Sequence, residues 1–243
     1  MQDLYQRAAQ FWQETLPRHR GETLLVVSHG GTNQALLNLA LGLSPRQHHC
    51  LQQTHSGLTV LDFDGPQLGT SQLHILNLTL TERLPKLKAG KQGLRLLLLP
   101  CQAQVSPDPG LADLLQGETV QAAVIEDCQS IQTPHPTYPC RQATQSLLRQ
   151  NPETVVFSVQ RSQLWQQWQA AIDGSLKGHY HDGLITVLAV AQPQPLQYFL
   201  NTLLTLPGDS KALALQTNTL SVVHYPSAQA RPILQGMNLS PLG

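Results

Sequence analysis

A histidine followed by two glycines is the feature of this sequence with the clearest chemical use. His29 follows the apolar run Leu24–Ser28 and precedes Gly30, Gly31 and a helical pattern over Asn33–Leu41. The run is short and Val-rich, which predicts a strand buried on both faces of a parallel sheet. Ligands bind where such a strand gives way to a helix, because the first N–H groups of the helix are free. The sequence therefore predicts that His29 and Gly30 bind an anion such as a phosphoryl group, although a polar residue that only caps a strand end is the plainer alternative.

The apolar pattern around this histidine occurs twice. A shift of 163 positions places Thr23–Leu61 on Thr186–His224 without a gap, and 11 of the 39 aligned residues are identical. The His29-Gly30-Gly31 triplet becomes Gln192-Pro193-Gln194 in the second copy. A single repeat of this length predicts two related units rather than a solenoid. One copy has the residues for chemistry, and the other has only the residues for folding.

Composition excludes several classes of function. The 243 residues carry 15 Lys+Arg and 15 Asp+Glu, so no net charge attracts nucleic acid or an anionic membrane. The four cysteines show no CxxC spacing, which favours neither a zinc site nor a disulfide framework. The N-terminus lacks a signal-peptide core, and no apolar run approaches the ~20 residues of a membrane span. We expect a cytoplasmic protein without nucleic-acid or membrane partners.

The order of the predicted elements favours an α/β fold, with parallel-type sheets flanked by helices in two related units. The first unit covers residues 1–80, a charged, proline-containing linker covers residues 81–93, and the second unit covers residues 94–243. The predicted strands are Leu24–Ser28, Leu58–Phe63, Leu73–Leu78, Leu94–Leu99, Thr119–Ile125, Thr154–Val159, Leu184–Val190 and Leu220–Tyr225. The predicted helices are Asp3–Pro17, Asn33–Leu41, Ala143–Arg149 and Gln163–Ile172.

The stretch Leu24–Leu43 resembles the second-histidine motif of the histidine phosphatase superfamily, which has the phosphoglycerate-mutase-like fold. The helix with Arg7–Gln13 and the segment Gln52–Leu58 fit the same pattern, and the resemblance extends from Leu4 to about Thr79. It implies a phosphomonoester phosphatase or phosphomutase that works through phosphohistidine, without metal or organic cofactor, on a small phosphorylated metabolite. His29 corresponds to the second histidine of that family. A sugar phosphate, phosphoglycerate, phosphoserine and a cofactor precursor all remain open as substrates.

The sequence departs from this family at its nucleophile. The family carries the phosphorylated histidine in an Arg-His-Gly motif, and no Arg-His-Gly occurs in this sequence. The equivalent positions of the second unit are Pro100, Cys101, Gln102 and Ala103, and Cys101 is expected to be a buried thiol rather than a nucleophile. We therefore expect the first unit to be the C-terminal part of a histidine phosphatase domain and the second to be a degenerate copy. The chain alone is expected to be inactive; the alternative is a non-catalytic phospholigand-binding or regulatory, stabilising module.

Other candidate residues favour structural roles. The clusters His48-His49-Cys50 and His179-Tyr180-His181 are more typical of surface histidines than of a shared metal site, because neighbouring positions cannot form a site alone. The remaining candidates are Arg7 and Arg20 as helix-surface charges, Arg141 as a loose match to the family's second arginine, and Trp165 and Trp168 as packing residues.

The missing family strand leads to predictions about the sheet. In the family it lies beside the strand that ends at the second histidine, so Leu24–Val27 is expected to expose an unpaired edge and an apolar face. Self-association through this edge, or cover by another strand, would follow, and hydrogen exchange should be faster over residues 1–80 than over 94–243. The interpretation as two related units also requires Leu24–Ser28 and Val187–Ala191 to lie in like elements.

Overall fold

The computed structural model describes residues 2–80, 83–102, 108–127, 139–177 and 183–241. Its helices are α1 (Gln2–Arg18), α2 (Gly30–Ala40), α3 (Leu111–Leu114), α4 (Pro139–Leu147), α5 (Leu164–Lys177) and α6 (Pro193–Leu203). Its strands are β1 (Leu58–Asp62), β2 (Gln72–Leu78), β3 (Gly93–Pro100), β4 (Ala122–Glu126), β5 (Val155–Val159), β6 (Leu184–Ala191), β7 (Leu220–Tyr225) and β8 (Ile233–Leu239). No helix among these residues is long and apolar enough to cross a membrane.

All eight strands form one mixed sheet in the order β1-β2-β8-β7-β3-β6-β4-β5. The α/β class is confirmed, but the prediction of parallel-type sheets holds only for β3, β6, β4 and β5. The remaining pairings are antiparallel, and two of them, β1 with β2 and β7 with β8, join strands that follow each other directly in the chain. The antiparallel pairing of β2 with β8 joins the two predicted units in a single sheet.

The apolar run Leu24–Ser28 is not a strand, so this prediction is wrong. The run lies outside the sheet, whereas Val187–Ala191 lies inside β6, between β3 and β4. The requirement that these segments lie in like elements is therefore not met, so this part of the repeat does not support two related units; any relation rests on the hydrogen bonds and strand register that the two halves share. A strand needs a neighbour for its N–H and C=O groups, and within the described residues none pairs with Leu24–Val27.

The same set of hydrogen bonds nevertheless occurs in both halves of the sheet. The Asn77 side chain accepts a bond from the Thr54 N–H at 3.0 Å and donates to the Gln52 and Gln235 carbonyls, both at 2.7 Å. The Asn238 side chain accepts from the Gln216 N–H at 2.9 Å and donates to the His74 and Ala214 carbonyls, both at 2.7 Å. Each asparagine thus reaches across the β2–β8 contact in the same manner.

Strand register and backbone conformation repeat as well. In β1 and β2, Leu58 pairs with Leu78 and Asp62 with Gln72; in β7 and β8, Leu220 pairs with Leu239 and His224 with Ile233. Residues with positive φ occupy matching positions in the two halves. Ser56 matches Asn218 and Asn77 matches Asn238, while the fifth such non-glycine residue, Thr205, matches Gly42, which also has positive φ. The offset is 163 residues at position 42, 162 at position 58 and 161 at position 77. The gapless alignment of the sequence is therefore out of register by one residue after the helix.

Apolar side chains cover both faces of the sheet. Leu94, Leu96 and Leu98 of β3 pack on one face with α5 and α6, and Leu97 and Leu99 pack on the other with α3 and α4. A third cluster joins Tyr5, Ala8 and Trp12 of α1 to α2, and the Trp12 indole N–H donates to the Leu36 carbonyl at 3.0 Å. Within the predicted linker, Leu84 and Pro85 are buried, so the part of it that the structure describes packs against the fold.

Candidate functional site

His29 stands at the start of α2, as the sequence predicted. Its backbone is extended (φ −88°, ψ 155°), and its carbonyl accepts the Asn33 N–H at 2.9 Å, the first bond of the helix. The imidazole and the following Gly30 are exposed and make no capping hydrogen bond. The side chain is thus free to meet a ligand at the N-terminus of α2.

The first turn of α2 offers hydrogen-bond donors to the same place. Among the described residues, the N–H groups of Gly30, Gly31 and Thr32 have no acceptor. A side chain at Gly30 would meet only the Gln53 Cβ, at 3.9 Å, and one at Gly31 would meet nothing within 4 Å. A ligand can therefore approach the backbone closely, and the partial positive charge of a helix N-terminus favours an anion there.

A lysine lies close to this helix end, and the sequence patterns did not point to it. Gln53 is the residue that a Cβ added at Gly30 would approach, and the Lys88 ammonium donates to the Gln53 carbonyl. Lys88 belongs to the segment predicted as linker, 59 positions after His29, so only the fold brings the two together. The Lys88 charge adds to the attraction of an anion by the helix N-terminus.

Buried polar side chains hold α2 against the sheet. Gln34 donates to the Leu51 carbonyl, and Asn38 donates to the Tyr5 hydroxyl at 3.0 Å. That hydroxyl also meets the His48 Nδ1 at 2.9 Å, so His48 is buried and the prediction of a surface histidine is wrong for it. Burial, with a smaller effect of His49, lowers the pKa of His48. The imidazole stays neutral and serves as a hydrogen-bond partner of the helix support.

In the second half, side chains of the protein occupy the N-terminus of α6, which matches the N-terminus of α2. Gln192 takes the place of His29 before α6, with nearly the same ψ (156°). Its N–H donates to the buried Glu126 carboxylate at 2.8 Å, and the Arg161 guanidinium donates to that carboxylate at 2.6 Å. Arg161 also bonds the Gln192 side chain. A carboxylate of the chain thus sits where an anion would bind at this helix end, which sequence patterns did not indicate.

Cys101 is buried, as expected, but it is not a free thiol. It forms a disulfide with Cys140 over a Cα–Cα distance of 5.5 Å, which corrects the expectation that the cysteines form no disulfide. The bond joins the end of β3 to the start of α4 and excludes Cys101 as a nucleophile while it is intact. Cys50 is free, and burial raises the pKa of its thiol to about 11, so it is not a nucleophile at neutral pH.

Removing this disulfide is expected to lower stability. The bond spans 39 residues of sequence, and a crosslink of this size contributes about 2–4 kcal/mol, mainly by restricting the unfolded chain. We expect the double variant Cys101→Ser, Cys140→Ser to lose that amount in urea unfolding, and a reductant to lower the stability of the wild type but not of the variant. Cys50→Ser is the matched control and should keep its response to reductant. Two free thiols at Cys101 and Cys140 in unreduced protein would contradict the prediction.

The other candidates do not join the site. Among the described residues no group of histidine, cysteine and acidic side chains is placed to hold a metal, and His179-Tyr180-His181 lies outside them. Arg7 is exposed and pairs with Asp3 at 3.2 Å, as a helix-surface charge should. Trp168 is buried against Phe199, and Trp165, although 41% exposed, packs edge-on against the same ring at 5.6 Å, so both pack as predicted.

Comparison with known proteins gives matches to one family. The model of the histidine phosphatase superfamily (branch 1) matches residues 1–75. A 2-carboxy-D-arabinitol-1-phosphatase of Triticum aestivum is 35% identical over 107 residues, which cover 42% of this chain and 21% of that protein. The chain therefore spans about a fifth of the length of the curated relatives it matches.

Two solved structures are also similar. A phosphoglycerate mutase from Plasmodium falciparum is 13% identical with a TM-score of 0.41, over 62% of this chain and 94% of that one. An alpha-ribazole phosphatase from Shigella flexneri is 14% identical with a TM-score of 0.39, over 61% and 99%. The match to the model of the histidine phosphatase superfamily, branch 1, includes His29 and the whole of α2, so the likeness to this family extends over the candidate site.

Proposed function

We propose that residues 1–80 form the phosphoryl-binding part of a phosphomonoester phosphatase or phosphomutase of the histidine phosphatase superfamily. His29 donates a hydrogen bond to a phosphoryl oxygen, and the N–H groups that begin α2 bind the remaining oxygens. The observation that carries this proposal is the exposed His29 beside three N–H groups without acceptors, within the family match. Donors fixed in place before the ligand arrives stabilise the charge that develops on a transferring phosphoryl group.

We further propose a small phosphorylated metabolite as the substrate class and a phosphohistidine mechanism that needs no metal or organic cofactor. The name of the wheat protein is that of a phosphatase, which supports a phosphorylated ligand without identifying it. Without an Arg-His-Gly motif in this sequence, His29 binds and polarises the phosphoryl group but has no partner that can carry it.

Binding of inorganic phosphate tests the role of His29. We expect phosphate to shift the backbone amide NMR signals of Gly30, Gly31 and Thr32, because these N–H groups face the ligand. The variant His29→Gln introduces the residue type found at the matching position, Gln192, and removes the imidazole that donates to phosphate. The affinity for phosphate should therefore fall roughly tenfold.

Two variants serve as controls for this titration. Gln192→Ala changes the matching position in the second half and should leave phosphate binding unchanged, because Glu126 already fills that site. Lys88→Gln should weaken binding less than His29→Gln, since Lys88 acts only through its charge. The proposal fails if phosphate leaves the three amides unshifted, or if His29→Gln binds as tightly as the wild type.

A second candidate function concerns residues 94–243. We propose that they form a related but non-catalytic unit that stabilises the first. The self-occupied site of Gln192, Glu126 and Arg161 favours this role over binding of a second phosphorylated ligand. The matching bonds of Asn77 and Asn238 across β2 and β8 support both the relation of the two units and their mutual stabilisation.

A further inference from the structure

The edge strand β5 carries three large apolar side chains in succession that remain half exposed. Val155 is 56% exposed, Val156 is 48% exposed and Phe157 is 50% exposed. Because side chains alternate along a strand, Val155 and Phe157 lie on one face of the sheet and Val156 lies on the other. Single exposed apolar residues are ordinary on a protein surface, but a contiguous apolar edge with both faces exposed indicates a contact surface.

The main chain of β5 leaves a defined set of hydrogen-bonding groups free. Among the described strands, β5 pairs only with β4. The Val155 N–H donates to the carbonyl of the residue before β4 at 3.1 Å, and the Val159 carbonyl accepts the N–H of the residue after β4 at 2.7 Å. Main-chain groups alternate in direction along a strand, so the odd-numbered residues of β5 face β4. The N–H and C=O groups of Val156 and Ser158 therefore point away from the sheet and can pair with another strand.

Strand β5 also lacks the features that keep edge strands from pairing. Proteins protect such an edge with a lysine, a proline or a β-bulge. The segment Val155–Val159 contains neither Lys nor Pro, and its register with Ala122–Glu126 is regular. Strand β1, at the other end of the sheet, has register shifts on both sides of Val60. Of these two edge strands, β5 is the one whose regular main chain can accept a neighbour.

Two copies of β5 can satisfy each other's free groups. In a two-fold dimer the same residues of both copies meet. Antiparallel pairing centred on Phe157 places Val156 of each copy opposite Ser158 of the other, and each of these pairs exchanges two main-chain hydrogen bonds. The two Phe157 side chains then lie opposite each other at a position without main-chain bonds, where cross-strand side chains come closest.

The charges that flank β5 fit the same register. Glu153 precedes the strand and Arg161 follows it, each four positions from Phe157, and both are exposed. Antiparallel pairing centred on Phe157 brings Glu153 of each copy to Arg161 of the other, so opposite charges meet at both ends of the contact. Arg161 also bonds the Glu126 carboxylate that fills the N-terminus of α6. The second copy would thus add an acidic residue beside the occupied helix end.

We propose that β5 is a dimerisation surface, at which two copies of this chain join antiparallel about Phe157 into one continuous sheet. The proposal goes beyond the phosphoryl-binding role and does not depend on it. A contact of one short strand per copy is smaller than the interface of about 1,600 Å² that stable complexes bury. The dimer is therefore weak, with a dissociation constant on the order of 10 μM.

Amide hydrogen exchange at two protein concentrations tests the register. We expect the Val156 and Ser158 amides to exchange about tenfold more slowly when about 90% of the chain is dimeric, because only the monomer exposes them. The Val155 amide already has an acceptor next to β4 and should keep nearly the same rate. Sedimentation over the same concentrations should show a monomer and a dimer, without larger species.

Variants separate this surface from unspecific association. Phe157→Lys places a charge at the centre of the contact, and Ser158→Pro removes an N–H that faces away from β4. Each should weaken the dimer at least tenfold. Leu80→Lys is the matched control, because Leu80 is an exposed aliphatic residue outside β5, and it should dimerise as the wild type does. Glu153→Arg should weaken the dimer less than Phe157→Lys, since an exposed ion pair contributes little.

Three results would overturn the proposal. The first is a chain that stays monomeric at about 0.5 mM, with the Val156 and Ser158 amides as fast as in dilute protein. The second is a dimer that persists unchanged in both Phe157→Lys and Ser158→Pro, because it would use another surface. The third is protection of the same two amides in dilute, monomeric protein, which would mean that another segment of the chain covers this edge. His29→Gln should dimerise as the wild type does, so loss of phosphate binding and loss of dimerisation are distinguishable.

Discussion

The purified chain is expected to release p-nitrophenol from p-nitrophenyl phosphate no faster than buffer does. In the proposed function His29 binds the phosphoryl group, but the sequence has no Arg-His-Gly motif to accept that group, and Cys101 is held in a disulfide. Catalytic residues act as a unit, so the loss of one removes most of the rate enhancement. Removal of the nucleophile of a serine protease lowers kcat on the order of a million-fold. Release of p-nitrophenol, followed at 405 nm over hours in the presence of a chelator, measures this.

The assay needs variants because a contaminating phosphatase would imitate activity. Turnover that persists in His29→Ala protein prepared in the same way comes from a contaminant and leaves the prediction standing. Sustained turnover that resists the chelator and is lost in His29→Ala would show that this chain is catalytic alone. A reductant provides a further arm: activity that appears only after reduction and is lost in Cys101→Ser would assign the nucleophile to Cys101.

Sequence patterns predicted the interior of the sheet better than its edges. The apolar runs of β3 and β6 are buried on both faces, so their composition reports their position, and the predicted bounds differ from the observed ones by at most a residue. The run Leu24–Ser28 has the same composition, but a strand also needs a neighbour, and composition does not say whether one is present. Strand β8 was missed because Gln235 and Asn238 interrupt its pattern, although both are buried and hydrogen-bonded.

The same distinction applies to the site. The position of His29 and Gly30 at the start of α2 was predictable because it depends only on residues that are their neighbours in the sequence. The roles of Lys88, Glu126 and the Cys101–Cys140 disulfide depend on contacts between residues at least 35 positions apart, which no local pattern reports. The near-repeat of the sequence identified Gln192 as the counterpart of His29, but only the coordinates show that a carboxylate occupies its helix end.

Replacement of Asn77 by alanine is expected to lower the free energy of unfolding by about 4 kcal/mol or more. The buried side chain satisfies the Thr54 N–H and the Gln235 carbonyl and gives the Gln52 carbonyl a second donor besides the Gln53 side chain. Each buried backbone group left without a partner costs about 1–3 kcal/mol. Asn77 also has φ of 60°, a conformation that costs alanine a further 1–2 kcal/mol or so. Since small proteins are stable by only about 5–15 kcal/mol, urea unfolding should show a large shift of the midpoint.

Variants at three positions separate the hydrogen bonds from the backbone strain. Ser56→Ala introduces alanine at φ 57° on an exposed residue, so it should lose only about 1 kcal/mol. Asn77→Gly removes the bonds but tolerates the backbone, and should lie between Ser56→Ala and Asn77→Ala. Asn238→Ala should match Asn77→Ala, because its side chain makes the equivalent bonds in the second half. If Asn77→Ala costs no more than Ser56→Ala, these bonds do not hold the two halves together, and the second unit does not stabilise the first through them.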